Sequence, residues 1–171
     1  MKLNWVEIFG NEKKQFDKMS EAQKFAYSLL LQYNSPYGWG KENPEASDCS
    51  GAVCLALLAA TGCLVRITAD DLYRRVFTVK NPAADAIRVA FFVDRKTKKA
   101  IHCSGFVDDG IVLNSQEGGA KLRTFDRLSA WFFNRNAGTE IRGLDKAALK
   151  KLSDEGARYD LDKELAKYVY E

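Results

Sequence analysis

The chain contains only one histidine, His102, and its four cysteines include no Cys-x-x-Cys pair. Structural zinc sites take four Cys or His ligands at short paired spacings, so this composition argues against such a site. The chain also lacks the apolar run of roughly eighteen or more residues that a membrane span needs. Its start, MKLNWVEIFGNEKKQF, lacks the continuous apolar stretch of a signal peptide. A net charge of +3 is too small to indicate a nucleic acid or a membrane surface as partner.

The same absences predict the state of the thiols and the place of synthesis. Without a secretion signal, reduced thiols are expected at Cys49, Cys54, Cys63 and Cys103 rather than disulfides. We expect the protein to be made in the cytoplasm without a signal peptide, and to act elsewhere only after release by another route.

What the chain does have is enough apolar sequence for one folded domain. Apolar residues make up 46% of its 171 residues, and no repeat, low-complexity tract or Gly/Ser linker divides it. We predict a single domain over 1–171, with a motif-bearing core at about 20–136 and a helical extension at about 143–171.

Local patterns predict helices first, then strands, then helices again. A helix over 20–33 begins with a capping box at Ser20, a second begins after Asp48 and ends at Gly62, and a short third follows Thr68. This order favours the α+β class over a doubly wound α/β fold. The predicted strands cover 86–93, 100–107, 111–116 and 130–135.

Cys49 lies in SDCSGAVC, at the first turn of the apolar second helix. A helix N-terminus carries a partial positive charge and unpaired N–H groups, which favour the reactive thiolate. The alternative is a buried apolar side chain like Cys54 or Cys63. Placement alone leaves both interpretations open.

His102 is the only histidine available to a Cys-His mechanism, and it lies within a predicted strand. Paired with Cys49, it would act as general base and then as general acid toward a leaving amine. A purely structural role for a lone strand histidine is the alternative.

A base of this kind needs an orienting group, and the hairpin after His102 offers two candidates. If residues 108–110 form a three-residue loop with Gly110 left-handed, Asn114 is diagonal to His102 and Gln116 is directly opposite it. A two-residue loop would move Asn114 to the other face of the sheet. The pairs expected for the longer loop are Val107–Ile111, Ser104–Asn114 and His102–Gln116.

The loop SPYGWG before Cys49 combines turn-forming residues with two large aromatic side chains, Tyr37 and Trp39. Aromatic side chains ahead of a candidate nucleophile are typical of a substrate groove. The alternative is that both side chains simply cover the core.

Together these segments resemble the NlpC/p60 cell-wall cysteine peptidases of bacteria and their phages, over about 35–116. PYGWGKENPEASDCSGAV is similar to the family's Pro-Tyr-x-Trp-Gly turn followed by Asp-Cys-Ser-Gly at a helix start. TGCLVRITADDLYRRV is similar to the stretch after that helix, VAFFV to the first core strand, and HCSGFVDDGIVLN to the catalytic-histidine hairpin.

The resemblance implies a papain-like fold, with N-terminal helices on a central antiparallel sheet and peripheral C-terminal helices. It implies hydrolysis of the amide between D-γ-glutamyl and diaminopimelate or lysine in peptidoglycan stem peptides, with no metal or cofactor. The implied roles are nucleophile for Cys49, base for His102, orienting residue for Asn114 (alternatively Gln116), and substrate binding for Tyr37, Trp39, Asp48 and Ser50.

The chain departs from the family at two places. NPAADAIRV stands where the family usually has Pro-Gly-Asp, and His102-Cys103-Ser104 replaces His-Val-Gly. The missing signal peptide fits a phage or prophage lysin released through a holin. The alternatives are an amidase or acyltransferase on the same fold, and an inactive wall-binding or phage-tail module.

Overall fold

The computed structural model describes residues 14–38, 42–43 and 46–157. Trp39 and the second predicted C-terminal helix, within 158–171, lie outside the described residues. The helices are α1 (Glu21–Leu30), α2 (Cys49–Thr61), α3 (Ala69–Asp71) with a π-helical continuation (Leu72–Val76), α4 (Phe125–Phe133) and α5 (Lys146–Asp154). The strands are β1 (Glu42–Asn43), β2 (Ala46–Ser47), β3 (Val79–Lys80), β4 (Arg88–Asp94), β5 (Ala100–Asp108), β6 (Ile111–Gln116), β7 (Gly119–Thr124) and β8 (Ala137–Gly143).

Helix α1 begins where its capping box predicts. The Ser20 hydroxyl accepts from the Gln23 N–H, and the Gln23 side chain accepts from the Ser20 N–H. These two bonds satisfy N–H groups that the first helical turn leaves without partners. Phe25 and Leu29 are fully buried and hold the helix against β5.

Helix α2 is apolar on nearly every side because most of its surface is buried, with Ala59 exposed. Asp48 caps its start, accepting from the Gly51 N–H at 2.6 Å, and Gly62 ends it in the left-handed conformation with φ 74°. Both ends therefore match the predictions, and the start of α2 is fixed at Cys49.

The main sheet is antiparallel, with strand order β3-β8-β4-β5-β6-β7. Helices α1 and α2 cover one face, whose core includes Phe91, Cys103 and Leu113. Helix α4 covers the other face, where Phe92 and Phe132 are buried. The predicted α+β class, with N-terminal helices on a central antiparallel sheet, is confirmed. No helix in the described part of the chain is long and apolar enough to span a membrane.

The β5–β6 hairpin has the predicted register along its strands, but its turn differs from the predicted three-residue loop. Asp108 pairs with Ile111 across the tight turn, so the predicted Val107–Ile111 pair is absent. A bulge between Phe106 and Asp108 then shifts the ladder by one residue, and Gly105 faces Leu113. Continued along the strands, this register places Asn114 on the same face as His102.

The predicted strand over 130–135 is wrong, because most of it belongs to helix α4. Aromatic residues raise β-propensity in AWFFNR, but Phe125, Leu128 and Phe132 recur at helical spacing and pack on the sheet. Two other aromatic residues of the same helix, Trp131 and Phe133, are exposed to solvent.

Strands β3, β7 and β8 were not predicted. Strand β8 pairs with β4 over its whole length, from Ala137 with Asp94 to Gly143 with Arg88. Its middle residues are half-buried and include the polar Thr139, Glu140 and Arg142 with only one large apolar residue, Ile141, so no alternating apolar pattern marks it in the sequence. Of the C-terminal extension, α5 is found, held by the buried Leu149 and Leu152.

Candidate active site

Cys49, His102 and Cys103 meet where the start of α2 approaches β5. Cys103 and His102 both lie near enough to the Cys49 thiol to change its pKa, and Cys49 and His102 line one cavity. Cys49 packs at the edge of the core that contains the fully buried Cys103. The helix N-terminus adds a partial positive charge at the sulfur.

The orienting contact on His102 is made by Asn114. His102 Nε2 lies 2.6 Å from Asn114 Oδ1, and the Ser104 hydroxyl donates to the same oxygen at 2.9 Å. Since a carbonyl oxygen only accepts, Nε2 carries the proton and Nδ1 is left to face Cys49. All three residues are buried, so the bonds are shielded from water.

Gln116, the alternative orienting residue, is half-buried at the end of β6, where it pairs with Gly119. It lines a separate cavity beside Arg123 and Trp131. Ser104, which the expected register placed opposite Asn114, donates its hydroxyl to the Asn114 side chain and supports it.

An aromatic stack covers the other side of the imidazole. The Phe132 ring is stacked on His102, with centroids 5.1 Å apart and planes at 25°, and on Phe92 at 4.0 Å. Phe132 is 6% exposed, so it excludes water from the His102–Asn114 bond. Because the sequence pattern predicted a strand over 130–135, the contact between Phe132 and His102 was not foreseen.

Phe132→Leu is expected to slow alkylation of Cys49 by iodoacetamide about three- to tenfold, because stacked aromatic pairs contribute about 0.5–1.5 kcal/mol and this stack holds His102 in place. The measurement is the alkylation rate of Cys49 at neutral pH, followed by mass spectrometry. The matched control is Phe133→Leu, since Phe133 is 59% exposed and its ring lies under Arg95. Equal kinetics of the two variants would show that the stack does not position His102.

The charges of Cys49 and His102 favour a thiolate–imidazolium pair. The hydrogen bond from Cys103, with the charge and hydrogen bond of His102, holds the pKa of Cys49 well below its usual range although burial opposes this. Burial alone would lower the pKa of His102, but the charge of Cys49 and the bonds to Cys49 and Asn114 raise it. Both pKa shifts therefore favour the thiolate–imidazolium pair over the neutral thiol and neutral imidazole.

Cys103 contributes as a hydrogen-bond donor, because its bond to Cys49 and its burial raise its own pKa and keep it a thiol. Cys103→Ala is expected to move the pH midpoint of Cys49 alkylation by iodoacetamide upward, toward that of an ordinary thiol. Cys103→Ser, which keeps a donor, should retain the low midpoint. Mass spectrometry of the Cys49 peptide follows the reaction, and Cys63→Ala is the control. A midpoint that is the same in all variants would contradict the donor role.

A buried ion pair lies beside Cys49. Arg66 Nη2 lies 2.7 Å from Asp48 Oδ2, with side chains 7% and 10% exposed. Arg66 Nη1 donates to the Ser50 hydroxyl at 3.0 Å, and that hydroxyl donates to Asp48 Oδ1 at 3.0 Å. Asp48 thus caps α2 and binds Arg66 at once. Sequence reasoning named Asp48 and Ser50 but not Arg66.

These residues line a cavity of about 260 Å³ that also contains Tyr37, Cys49 and His102. Tyr37 is 36% exposed, and burial with the negative charges of Cys49 and Asp48 raises its pKa to about 12. The cavity lining therefore offers a neutral phenol, the carboxylates of Asp48 and Asp70, and a guanidinium beside Cys49.

Among the described residues, no group of three or more His, Cys, Asp or Glu side chains could hold a metal ion. The described site consists of thiol, imidazole and amide groups. It can form a covalent bond to an electrophilic carbon and transfer a proton at the same centre.

Comparison with known proteins identifies the fold. No family model and no curated protein matches the chain. NlpC1 of Trichomonas vaginalis is 16% identical, with a TM-score of 0.55, over 73% of this chain and 44% of that one, so the chain spans less than half of its length. The NlpC/p60 domain of the peptidoglycan hydrolase SagA is 16% identical (TM-score 0.53, 72% and 98% covered).

RipD of Mycobacterium tuberculosis, a non-catalytic NlpC/p60 domain protein adapted to peptidoglycan binding, is 12% identical (TM-score 0.56, 75% and 98% covered). At such identities the likeness shows the fold alone: the chain has the NlpC/p60 fold. Because both a hydrolase and a non-catalytic domain share that fold, activity has to be argued from the site.

Proposed function

We propose that the chain is a peptidoglycan hydrolase, a cysteine endopeptidase that cleaves the D-γ-glutamyl–diamino acid amide of stem peptides. The observation that carries this proposal is the convergence of Cys49, His102 and Asn114 on one buried hydrogen-bonded site. A binding domain has no need for a thiol of lowered pKa bonded to an oriented imidazole.

The proposed reaction begins with the Cys49 thiolate attacking the γ-carbonyl carbon of the glutamyl residue. The N–H of Cys49, at the start of α2, donates to the oxygen that becomes negative. The His102 imidazolium gives its proton to the leaving amine of the diamino acid, and a thioester remains on Cys49. His102, now neutral, takes a proton from water, whose oxygen attacks the thioester; the carboxylic acid leaves and the Cys49 thiolate and His102 imidazolium are restored.

The cavity around Tyr37, Asp48 and Ser50 is the proposed site for the amino end of the stem peptide. A carboxylate at its centre suits an ammonium group. Since Arg66 already binds Asp48, the cavity is less negative than the sequence suggested. We infer that Tyr37, with its raised pKa, stays a neutral hydrogen-bonding group there.

Defined stem peptides test the proposal. The wild-type chain should release the free diamino acid portion from L-Ala-γ-D-Glu-diamino acid peptides, and mass spectrometry should find cleavage at the γ-glutamyl bond alone. Cleavage of simple acyl esters without cleavage of stem peptides would instead support an amidase or acyltransferase.

The likeness to RipD makes a peptidoglycan-binding module the second candidate. Alkylation separates it from the enzyme. If iodoacetamide modifies Cys49 at neutral pH no faster than an ordinary thiol, the endopeptidase proposal fails and the binding module is favoured.

A further inference from the structure

Strand β5 contains a bulge directly before His102. The ladder with β4 pairs Phe92 with His102. The next pair is Val93 with Ala100, so Ile101 is an extra residue in β5. The Ile101 side chain is 51% exposed and lines the cavity that contains Cys49. A bulge of this kind bends the strand and redirects the side chains on either side of it.

The bulge lets the residues on its two sides face opposite sides of the sheet. Ala100 is buried in the core beneath helices α1 and α2. His102 is on the other face, where its imidazole contacts the rings of Phe92 and Phe132. In a regular strand, residues two positions apart share a face. A regular strand would therefore not bury Ala100 and also place His102 beside Asn114.

The bulge is tied to helix α3 by a carboxylate that takes no part in the reaction steps above. The Ala100 N–H donates to Asp70 Oδ1 at 2.8 Å. Asp70 Oδ2 accepts from Arg74 Nε at 2.9 Å, and Arg74 Nη2 donates to the backbone oxygen of Lys98 at 2.7 Å. One carboxylate and one guanidinium therefore hold both ends of the segment 98–100, immediately before the bulged residue.

Helix α3 holds Asp70 itself in place. Thr68 caps the helix, since its hydroxyl accepts from the Asp71 N–H at 3.1 Å and donates to Asp71 Oδ2 at 2.8 Å. Ala69 is buried in the core. The Asp70 side chain is 27% exposed, so its bond to Ala100 is partly shielded from water. A carboxylate supported in this way can fix the backbone that donates to it.

We propose that Asp70 is a positioning residue, which fixes the bulge in β5 and thereby keeps His102 beside Cys49. This rests on the proposed endopeptidase function and adds a residue that acts on its base through the backbone. Asp70 also lines the cavity that contains Cys49. Both of its oxygens already accept a hydrogen bond, from Ala100 and from Arg74, which favours positioning over direct contact with substrate.

The pH midpoint of Cys49 alkylation separates this role from a simple effect of charge. Loss of the Asp70 carboxylate removes a negative charge from the cavity wall, which by itself lowers the pKa of the Cys49 thiol. Displacement of the imidazole raises that pKa, because the charge of His102 helps to hold it down. The charged and titratable groups that line the cavity or act on the Cys49 thiol are Tyr37, Asp48, Arg66, Asp70, His102 and Cys103. With the others unchanged, the direction of the change in midpoint identifies its cause.

Two substitutions at position 70 differ in whether they can accept the Ala100 N–H. Asp70→Asn and Asp70→Ala both remove the charge, but the amide oxygen of Asn can still accept. Asp145→Ala is the matched control, because Asp145 accepts from the Ala148 N–H at 3.0 Å and is not among the described residues that line the cavity. Each variant is compared with wild type in three measurements. These are the pH midpoint of Cys49 alkylation by iodoacetamide, kcat and KM on L-Ala-γ-D-Glu-diamino acid peptides, and the thermal unfolding midpoint.

The alkylation midpoint of Asp70→Ala should rise by about one pH unit, and its kcat should fall about tenfold with KM within about twofold, as for loss of one hydrogen bond to a charged group. Asp70→Asn should stay within about 0.3 pH unit and about threefold of wild type, because it keeps the acceptor. Asp145→Ala should match wild type in alkylation and hydrolysis. The unfolding midpoints of Asp70→Ala and Asp145→Ala should be lowered by similar, small amounts.

Three results would assign Asp70 another role and overturn the positioning proposal. A midpoint that falls in Asp70→Asn and Asp70→Ala alike indicates an effect of charge. A rise in KM with unchanged kcat indicates contact with substrate. Loss of the fold in Asp70→Ala, or an unfolding midpoint far below that of Asp145→Ala, indicates a purely structural role.

Failure of this proposal is distinguishable from failure of the endopeptidase. Cleavage by wild type, with the same alkylation midpoint and kcat in Asp70→Ala, overturns the positioning role and leaves the endopeptidase standing. No cleavage by wild type, with the expected rise in midpoint in Asp70→Ala and its recovery in Asp70→Asn, overturns the endopeptidase and leaves the positioning of His102 standing. A wild-type midpoint equal to that of an ordinary thiol overturns both.

Discussion

Cys49→Ala is expected to reduce release of new amino groups from purified sacculi by about 10⁴-fold or more, because removing a nucleophile eliminates the covalent route. The fold should persist. Cys49 occupies the first position of α2, where alanine is a good helix former, and the cap at Asp48 is untouched. Amine release is measured with a fluorogenic amine reagent, and the fold is checked by the thermal unfolding midpoint.

The matched control for this prediction is Cys63→Ala, which removes a half-buried thiol just beyond the end of α2. Its activity should stay within about twofold of wild type. If Cys49→Ala retains a tenth or more of wild-type activity, Cys49 is not the nucleophile and the proposed mechanism is wrong.

The helices around the site could be predicted because their ends are set by local chemistry. A capping side chain satisfies N–H groups within three residues of itself, so Ser20 and Asp48 are visible in a short window. The left-handed Gly62 is equally local. The placement of Cys49 at a helix start therefore follows from the sequence alone.

The sheet was less predictable because its pairing is not local. Strand β8 forms by pairing with β4, more than forty positions earlier in the chain. Its own sequence has no alternation of apolar residues. The hairpin that orients His102 shows the same limit. The segment DDG permits either loop length, and only the bulge before Asp108 puts Asn114 on the face of His102.

The contacts around Cys49 and His102 show the same difference between local and non-local features. Arg66 lies eighteen residues after Asp48, and nothing in LVRITADD marks it as the buried member of an ion pair. Phe132 was assigned to a strand, so its stack on His102 could not be foreseen. The sequence motifs identify Cys49 and His102 as candidates for the reaction, whereas tertiary packing selects the residues that surround them.

Arg66→Leu is expected to destabilise the domain by about 3–5 kcal/mol, the range found when one partner of a buried ion pair is removed. The Asp48 side chain is only 10% exposed. Without the Arg66 guanidinium, which lies 2.7 Å away, its carboxylate would be a buried charge that has lost this ion pair. Denaturant unfolding followed by circular dichroism gives the free energy of unfolding. Because proteins have total free energies of unfolding of about 5–15 kcal/mol, this loss should clearly lower the denaturant concentration at the unfolding midpoint.

An exposed pair supplies the control for Arg66. Arg74→Leu breaks the Arg74–Asp70 pair, whose side chains are 50% and 27% exposed, and should cost less than about 1 kcal/mol. A free energy of unfolding for Arg66→Leu within 1 kcal/mol of wild type would show that the buried pair does not hold the structure together.

The double variant Asp48→Asn with Arg66→Leu separates charge burial from helix capping. Asparagine can still accept from the Gly51 N–H as an N-cap, but it brings no charge into the core. The double variant should therefore recover most of the stability lost by Arg66→Leu alone. A double variant no more stable than the single one would mean that Arg66 acts through packing. Recovery of stability without recovery of hydrolysis would separate the two roles of Asp48, since the cap would be restored while the proposed ammonium site would not.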